Sequence, residues 1–441
     1  MQRAARIGYA GANVGNRGDG TPEERAGLFA LTLLALAVGA LAGVLGAAFR
    51  VALQAGDAWR NALVGWAHGH AWVGLLLVAV TTAACAAVAA FLVRRFARYA
   101  SGSGIPHVEA VVRGELPHAG ASLLPVKFFG GWLAIGSGLA LGREGPSVQM
   151  GACIGSVLGA LFRRDADDRM ALLAAGAGAG LAVAFNAPTA GAVFVLEELV
   201  RRFDTRIATA ALAASASAIA VARVVLGSAP DFTVASMVPI GFGQGIPFVA
   251  VGVIAGLAGV AYNKAILGAL AAADAARGLS VEARAAVIGA AIGVIAFVAP
   301  ELVGGGDSLT QLALSGGPLA TALPLVLALR FVMGSVSYAA GTPGGLFAPL
   351  LVLGAQLGLV CAWITGGDGT PPAAYALVGM AAFFTAVVRS PLTGIVLVTE
   401  MTGNLAMLLP MVIASAMAML VATLLADPPI YDSLRERLLR D

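Results

Sequence analysis

The chain has 441 residues, 59% hydrophobic and 12% charged, with a mean hydropathy of +0.88. A soluble domain carries about 25% charged residues; half that share cannot coat a water-facing globule, so lipid is the solvent for much of this surface. The net charge of +3 gives no argument for nucleic acid or an acidic partner, and Cys85, Cys153 and Cys361 stand singly in apolar stretches, without disulfide or metal-ligand spacing.

Residues 1–25 are polar and Gly-rich without an apolar core, which predicts a cytosolic tail rather than a signal peptide. Residues 26–49 then run 24 positions without a charge, residues 71–93 run 23, and residues 402–426 run 25. About 20 apolar residues cross the hydrocarbon core, so each reads as a span. Arg94, Arg95 and Arg98 follow the second span, Arg201, Arg202 and Arg206 flank another, and Arg435, Arg437 and Arg440 lie near the end. Arginine beside span ends marks the cytoplasmic face. The expectation is an all-α polytopic protein of the cell (inner) membrane, with a transport domain over 26–435, a tail over 436–441 and both termini inside.

Between the spans, Gly and Pro interrupt apolar sequence in a repeated way: GSGIP at 102–106, GREGP at 142–146, FNAP at 185–188, GTPGGLFAP at 341–349 and RSP at 389–391. Residues 331–367 are 37 uncharged positions, too long for one crossing, with GTPGGLFAP in the middle. Pro suits the first turn of a helix, where its missing N–H is not needed. These breaks therefore predict loops feeding helix N-termini inside the membrane, the last of them beginning at about Leu346. Free N–H groups and the positive dipole end at such a terminus favour an anion by about 0.3–1 kcal/mol each. Backbone of this kind is tolerated at membrane depth only where protein or a cavity satisfies it.

The chain also repeats. FNAPTAGAVFVLE at 185–197 aligns with VRSPLTGIVLVTE at 388–400, pairing Pro188 with Pro391, Gly191 with Gly394 and Glu197 with Glu400, each 203 residues apart. Internal repeats mark transporters. The halves fall at about 27–227 and 247–426, divided in the polar stretch near 227–245. The repeat alone leaves open whether they are inverted.

These motifs resemble the CLC family of chloride channels and chloride/proton exchangers, over about residues 27–435. GSGIP, GREGP and GTPGGLFAP look like its three pore signatures in order; AFNAPTAGAVFVLEE at 184–198 and SPLTGIVLVTEMT at 390–402 also look like family sequence. The resemblance implies a homodimer with one pore per subunit, each subunit built of two inverted halves with broken, tilted helices. It implies that Ser103 and Tyr431 offer hydroxyls to a central anion, with the amides of Leu346 and Phe347 completing that site. Amides around Arg143, Gly145 and Ala348 would frame an outer site that the Glu144 carboxylate occupies itself, and Glu198 would be an inner proton acceptor. Exchange of chloride for protons is the first reading and a passive, gated chloride channel the alternative. No cofactor is expected. Family relatives selective for nitrate or fluoride tend to carry Pro or Met at the Ser103 position, so chloride is the first choice here.

Each residue also has a plainer reading. Glu144 is an intramembrane carboxylate, functional by default, or else a static ion pair with Arg143. Glu198 is a proton site, or a partner of Arg201 and Arg202 at helical spacing. Ser103 is an anion ligand or a helix N-cap; Tyr431 is a pore residue or an interfacial tyrosine. Lys127 and Arg330 add positive potential near the pathway, or pair with Glu400 or with backbone carbonyls. His107, where the family usually carries an acid, is a surface residue or a sensor. An intramembrane serine enzyme lacks the G-x-S-x-G elbow, and a sodium-coupled carrier would present helix C-termini to its ion.

Overall fold

The computed structural model describes residues 22–235, 237, 245–276, 278–315, 322–365 and 369–440. The predicted tail therefore lies mostly outside the described residues, as does part of the divide between halves. Seventeen α-helices occur among the described residues. The first half holds α1 Pro22–His68, α2 Ala71–Phe96, α3 Ile105–Val112, α4 Leu123–Gly136, α5 Glu144–Leu161, α6 Ala166–Phe185, α7 Pro188–Phe194 and α8 Thr205–Leu226. The second holds α9 Ile246–Ala275, α10 Val281–Val298, α11 Asp307–Leu314, α12 Leu323–Tyr338, α13 Phe347–Ile364, α14 Pro372–Val388, α15 Pro391–Thr402 and α16 Leu408–Leu424; α17, Ile430–Arg440, follows. Seven described helices are long and apolar enough to cross a membrane. Phe29 and Leu33 on α1 and Trp72, Leu76 and Val80 on α2 are exposed. So large an apolar surface needs lipid around it, and the chain is a multi-pass membrane protein.

Two spans differ from expectation. The first does not end at Arg50: α1 continues to His68, because the Arg50 guanidinium bonds the Val183 carbonyl (3.1 Å) and Asp231 (2.8 Å) instead of meeting lipid. The 402–426 stretch is not one span either. Gly403 takes φ +63° and ends α15, and α16 starts afresh at Leu408. Positive φ is a conformation that glycine adopts without steric cost.

The duplication is visible in three dimensions. The starts of α5 and α13, of α7 and α15, and of α8 and α16 are each 203 positions apart. Left-handed Asn186 ends α6 as left-handed Arg389 ends α14, at the same offset. A Cβ added at Gly151 would lie 2.1 Å from the Gly176 carbonyl oxygen, and one at Gly354 would lie 2.5 Å from that of Gly379. Both copies thus bring two helices into backbone contact through paired glycines, the packing that small residues allow in membranes.

The halves are inverted, and two carboxylates prove it. Glu197, just after α7, accepts N–H bonds from Leu392 (3.0 Å) and Thr393 (2.6 Å) at the start of α15. Glu400, near the end of α15, accepts them from Thr189 (3.1 Å) and Ala190 (2.9 Å) at the start of α7. The end of each helix meets the beginning of its counterpart, so equivalent helices run antiparallel. Their shared role is reciprocal capping of two helix N-termini. Removing either carboxylate orphans two N–H groups. Glu197→Ala and Glu400→Ala should each lower stability by about 1–2 kcal/mol, read as a drop in the unfolding temperature in detergent.

Lys127 and Arg330, again 203 apart, are also counterparts. Lys127 on α4 donates to the carbonyls of Ala100 (3.0 Å) and Gly102 (2.8 Å); Arg330 on α12 donates to those of Leu302 (2.9 Å), Gly304 (2.9 Å) and Gly305 (3.1 Å). Each buried cation grips the loop that enters a short helix, α3 or α11. Backbone carbonyls, not Glu400, are their partners.

Candidate functional site

Three of the predicted breaks are laced together by backbone. Gly102 N–H donates to the Thr342 carbonyl (3.0 Å) and Gly344 N–H to that of Gly102 (3.0 Å); Gly142 and Gly345 exchange a pair of bonds at 2.8 and 2.7 Å. The GSGIP, GREGP and GTPGGLFAP loops are therefore one knot, with α3, α5 and α13 leaving it. Gly102 (φ +58°) and Gly104 (φ +83°) supply the turns. Only backbone this bare lets the chains approach: a Cβ on Gly145 would sit 2.5 Å from both the carbonyl oxygen and Oγ of Ser103. Gly145→Ala should cost about 1–3 kcal/mol by overpacking and abolish transport, because the obstacle includes main chain that cannot swing away.

At the centre of the knot lies Glu144, fully buried in the first turn of α5. Its Oε1 accepts a hydrogen bond from the Ala348 N–H (3.0 Å), in the first turn of α13, and its Oε2 has no hydrogen-bond partner among the described residues. Cβ atoms placed on Gly142 and Gly345 would fall 2.1 and 2.6 Å from Oε2. The carboxylate is folded into a glycine-walled cradle facing a second helix N-terminus. It is not paired with Arg143. That side chain turns outward to Asp307 (2.7 Å) and Asp231 (3.1 Å), and its Nε donates to the Ala184 carbonyl (2.8 Å).

Ser103 and Tyr431 are both fully buried, and their hydroxyls face one another with no further hydrogen-bond partner among the described residues. The Tyr431 ring lies 5.9 Å from that of Phe347, whose other neighbours are Phe185, Phe194 and Phe384. Leu346 is the N-cap of α13 and Phe347 its first residue. Ser103 caps nothing: α3 is preceded by Gly104, with no side-chain cap. Two buried hydroxyls with no partner beyond each other among the described residues invite a ligand, since buried polar groups in native proteins are almost always paired. Tyr338 was not legible as part of this site. Its hydroxyl accepts the Ser103 N–H (3.4 Å), but at a helix end it reads as ordinary core.

Glu198, nearly fully buried, sits on a π-helical turn, Val195–Leu199, that prolongs α7. Such turns are frequent at functional positions. Its Oε2 accepts from the Ser390 hydroxyl (2.6 Å) and its Oε1 from Arg201 (3.3 Å). Ser390 stands directly before the repeat's Pro391, so its motif was visible although its role was not. Burial works against the Arg201 charge, but Asp432, Glu198 and Glu109 together raise its pKa above the ordinary range, and it remains a cation. His107 is buried, stacked on Tyr99 at 4.5 Å and 3.3 Å from Gln149, so the surface reading fails.

Two cavities approach these groups. One, about 410 Å³, is lined by Gly102, Gly104, Tyr338, Arg98 and Arg437. The other, about 620 Å³, is lined by Glu198, Arg201, Arg202, Arg389 and Pro429.

The family model described as voltage gated chloride channel matches residues 85–423. The H(+)/Cl(-) exchange transporter ClcA of Vibrio cholerae serotype O1 is 38% identical over 439 residues, covering 94% of this chain and 90% of the relative. A slow cyanobacterial Cl-/H+ antiporter superposes with a TM-score of 0.88 at 31% identity, covering 93% of this chain and 98% of that one. A CLC-type fluoride/proton antiporter gives 0.80 at 23% identity over 94% and 98% of the two chains, a likeness of fold.

Proposed function

The chain belongs to the voltage-gated chloride channel (CLC) family, and on that premise we propose that it is a secondary active transporter exchanging chloride for protons. The observation that carries this reading is the Glu144 carboxylate accepting the Ala348 amide between two helix N-termini. A site that holds a carboxylate on neutral N–H groups suits a dehydrated halide of the same charge. Charged, Glu144 occupies the outer position, framed by the amides around Arg143, Gly145 and Ala348. Protonated, it loses its claim on those amides, leaves, and admits chloride. The central position is completed by the Ser103 and Tyr431 hydroxyls with the Leu346 and Phe347 amides. Glu198 receives protons on the inner side, where a simple pore needs no acceptor.

Three arginine clusters share one face. Arg98 and Arg437 line one cavity, and Arg201 bonds Asp432 of α17 at 3.0 Å. By the positive-inside rule this face is cytoplasmic, and both termini lie there, with the chain in the cell (inner) membrane. The two halves, 27–227 and 247–426, form one transport domain, and the protein acts as a homodimer, carried over from the family; light scattering in detergent should return twice the mass of one chain.

The reading is tested in liposomes loaded with chloride while external pH is recorded. A chloride gradient should drive protons uphill. Chloride flux with no proton signal would make the protein a channel.

A further inference from the structure

We propose that an Arg201–Asp432 clasp, unassigned by anything above, couples the proton acceptor to the anion site. The inference rests on the exchange reading and names the positioning residues within it. Arg201 touches four groups: its Nε donates to the Glu198 carbonyl (3.2 Å), and its terminal nitrogens reach the carboxylates of Glu198 (3.3 Å), Glu109 (3.4 Å) and Asp432 (3.0 Å). To do so its backbone sits at φ +53°, a conformation uncommon for a side chain of this size. Residues held in this way cluster where the surroundings over-determine them, at functional sites.

The clasp joins three elements. Glu198 belongs to the π-turn. Asp432 is the neighbour of Tyr431 on α17. Glu109 lies on α3, six residues after Ser103, with its side chain fully buried. Arg113 and Arg435 complete the cluster on α3 and α17: Arg113 meets Glu109 (2.5 Å) and Asp432 (3.5 Å), while Arg435 meets Asp432 (3.5 Å) and Glu115 (2.7 Å). Tyr431 lies on α17 and Ser103 two residues before α3, so both hydroxyls of the central anion position are carried by segments tied to Arg201, the one cation that pairs with Glu198 among the described residues. Both cavities touch this region, one at Arg201 and Pro429, the other at Leu434 and Arg437.

When Glu198 takes up a proton its attraction for Arg201 falls, and Arg201 is left to the Asp432 and Glu109 carboxylates. A cation shared among three carboxylates redistributes when one is neutralised. The redistribution bears on α17 and α3, and so on Tyr431 and Ser103. This is a coupling free energy between two sites, and it must be reciprocal.

The test is a thermodynamic cycle on purified dimer in detergent, with chloride binding read by calorimetry. Glu198→Gln should change chloride affinity by about fivefold in the parent, and by less than about twofold in Arg201→Gln and Asp432→Asn backgrounds. The exchanged pair Arg201→Asp with Asp432→Arg should recover part of the difference. In liposomes, Arg201→Gln and Asp432→Asn should lower the protons moved per chloride, a ratio that a merely structural loss would leave alone. An affinity change that persists undiminished in both backgrounds, or is absent from the parent, overturns the clasp. A parent that moves no protons at all instead overturns the exchange reading, and the binding cycle still judges the clasp.

Discussion

Glu144→Ala is expected to leave a chloride leak that moves no protons and ignores pH. The carboxylate lies in its cradle by accepting the Ala348 amide at 3.0 Å, with Gly142 and Gly345 against its second oxygen. Truncation removes the one titratable group in that cradle and the competitor for its amides. Chloride should then bind about tenfold tighter, or about 1.4 kcal/mol, a modest figure against the 1.5–3 kcal/mol typical of about one hydrogen bond to a charged group. Glu144→Gln separates the two effects. It keeps an acceptor oxygen for Ala348 and fills the same volume, so its leak should be slower, yet it also cannot carry a proton. Both variants should fail to acidify or alkalinise against a gradient between pH 5 and 8. Uphill proton movement by Glu144→Ala would remove Glu144 from the gate.

How much of this was legible depended on whether the signal was local. Gly, Pro and acid at fixed spacing mark helix starts through backbone constraints, so the three loops and the repeat could be found in the residues themselves. Inversion could not, because it is a relation between distant segments; it emerges from the Glu197 and Glu400 caps, each reaching into the other half. Partner choice was hidden for the same reason. Arg143 stands next to Glu144, yet its guanidinium leaves for Asp231 and Asp307, one between the halves and one on α11. Adjacent residues on a helix diverge by about 100°, so neighbourhood in sequence is a poor guide to pairing. Arg50 misled in the opposite sense. A charge closing an apolar run looked like a span end, whereas a carbonyl and an aspartate let α1 continue through it.

Glu198→Gln is expected to abolish proton movement while chloride flux persists, and the geometry explains why glutamine is the informative choice. Its carbonyl oxygen can accept the Ser390 hydroxyl as Oε2 does now at 2.6 Å, so the π-turn keeps its tie to the second half. What is lost is the ability to bind and release a proton. Glu198→Ala, by contrast, strands the Ser390 hydroxyl and leaves Arg201 short of one carboxylate, and should cost about 1–3 kcal/mol of stability as well. Glu197→Gln is the control one residue away. That carboxylate caps α15 from the outside of the turn, so its loss should lower the unfolding temperature and leave the protons moved per chloride unchanged. If Glu198 were only an ion-pair partner for Arg201, the two neighbours would behave alike: both glutamine variants would soften the fold, and both would still pump. Opposite outcomes at adjacent acids, one in coupling and one in stability, are what the proposed proton role predicts, because one carboxylate meets Ser390 and Arg201 and the other the N-terminus of α15.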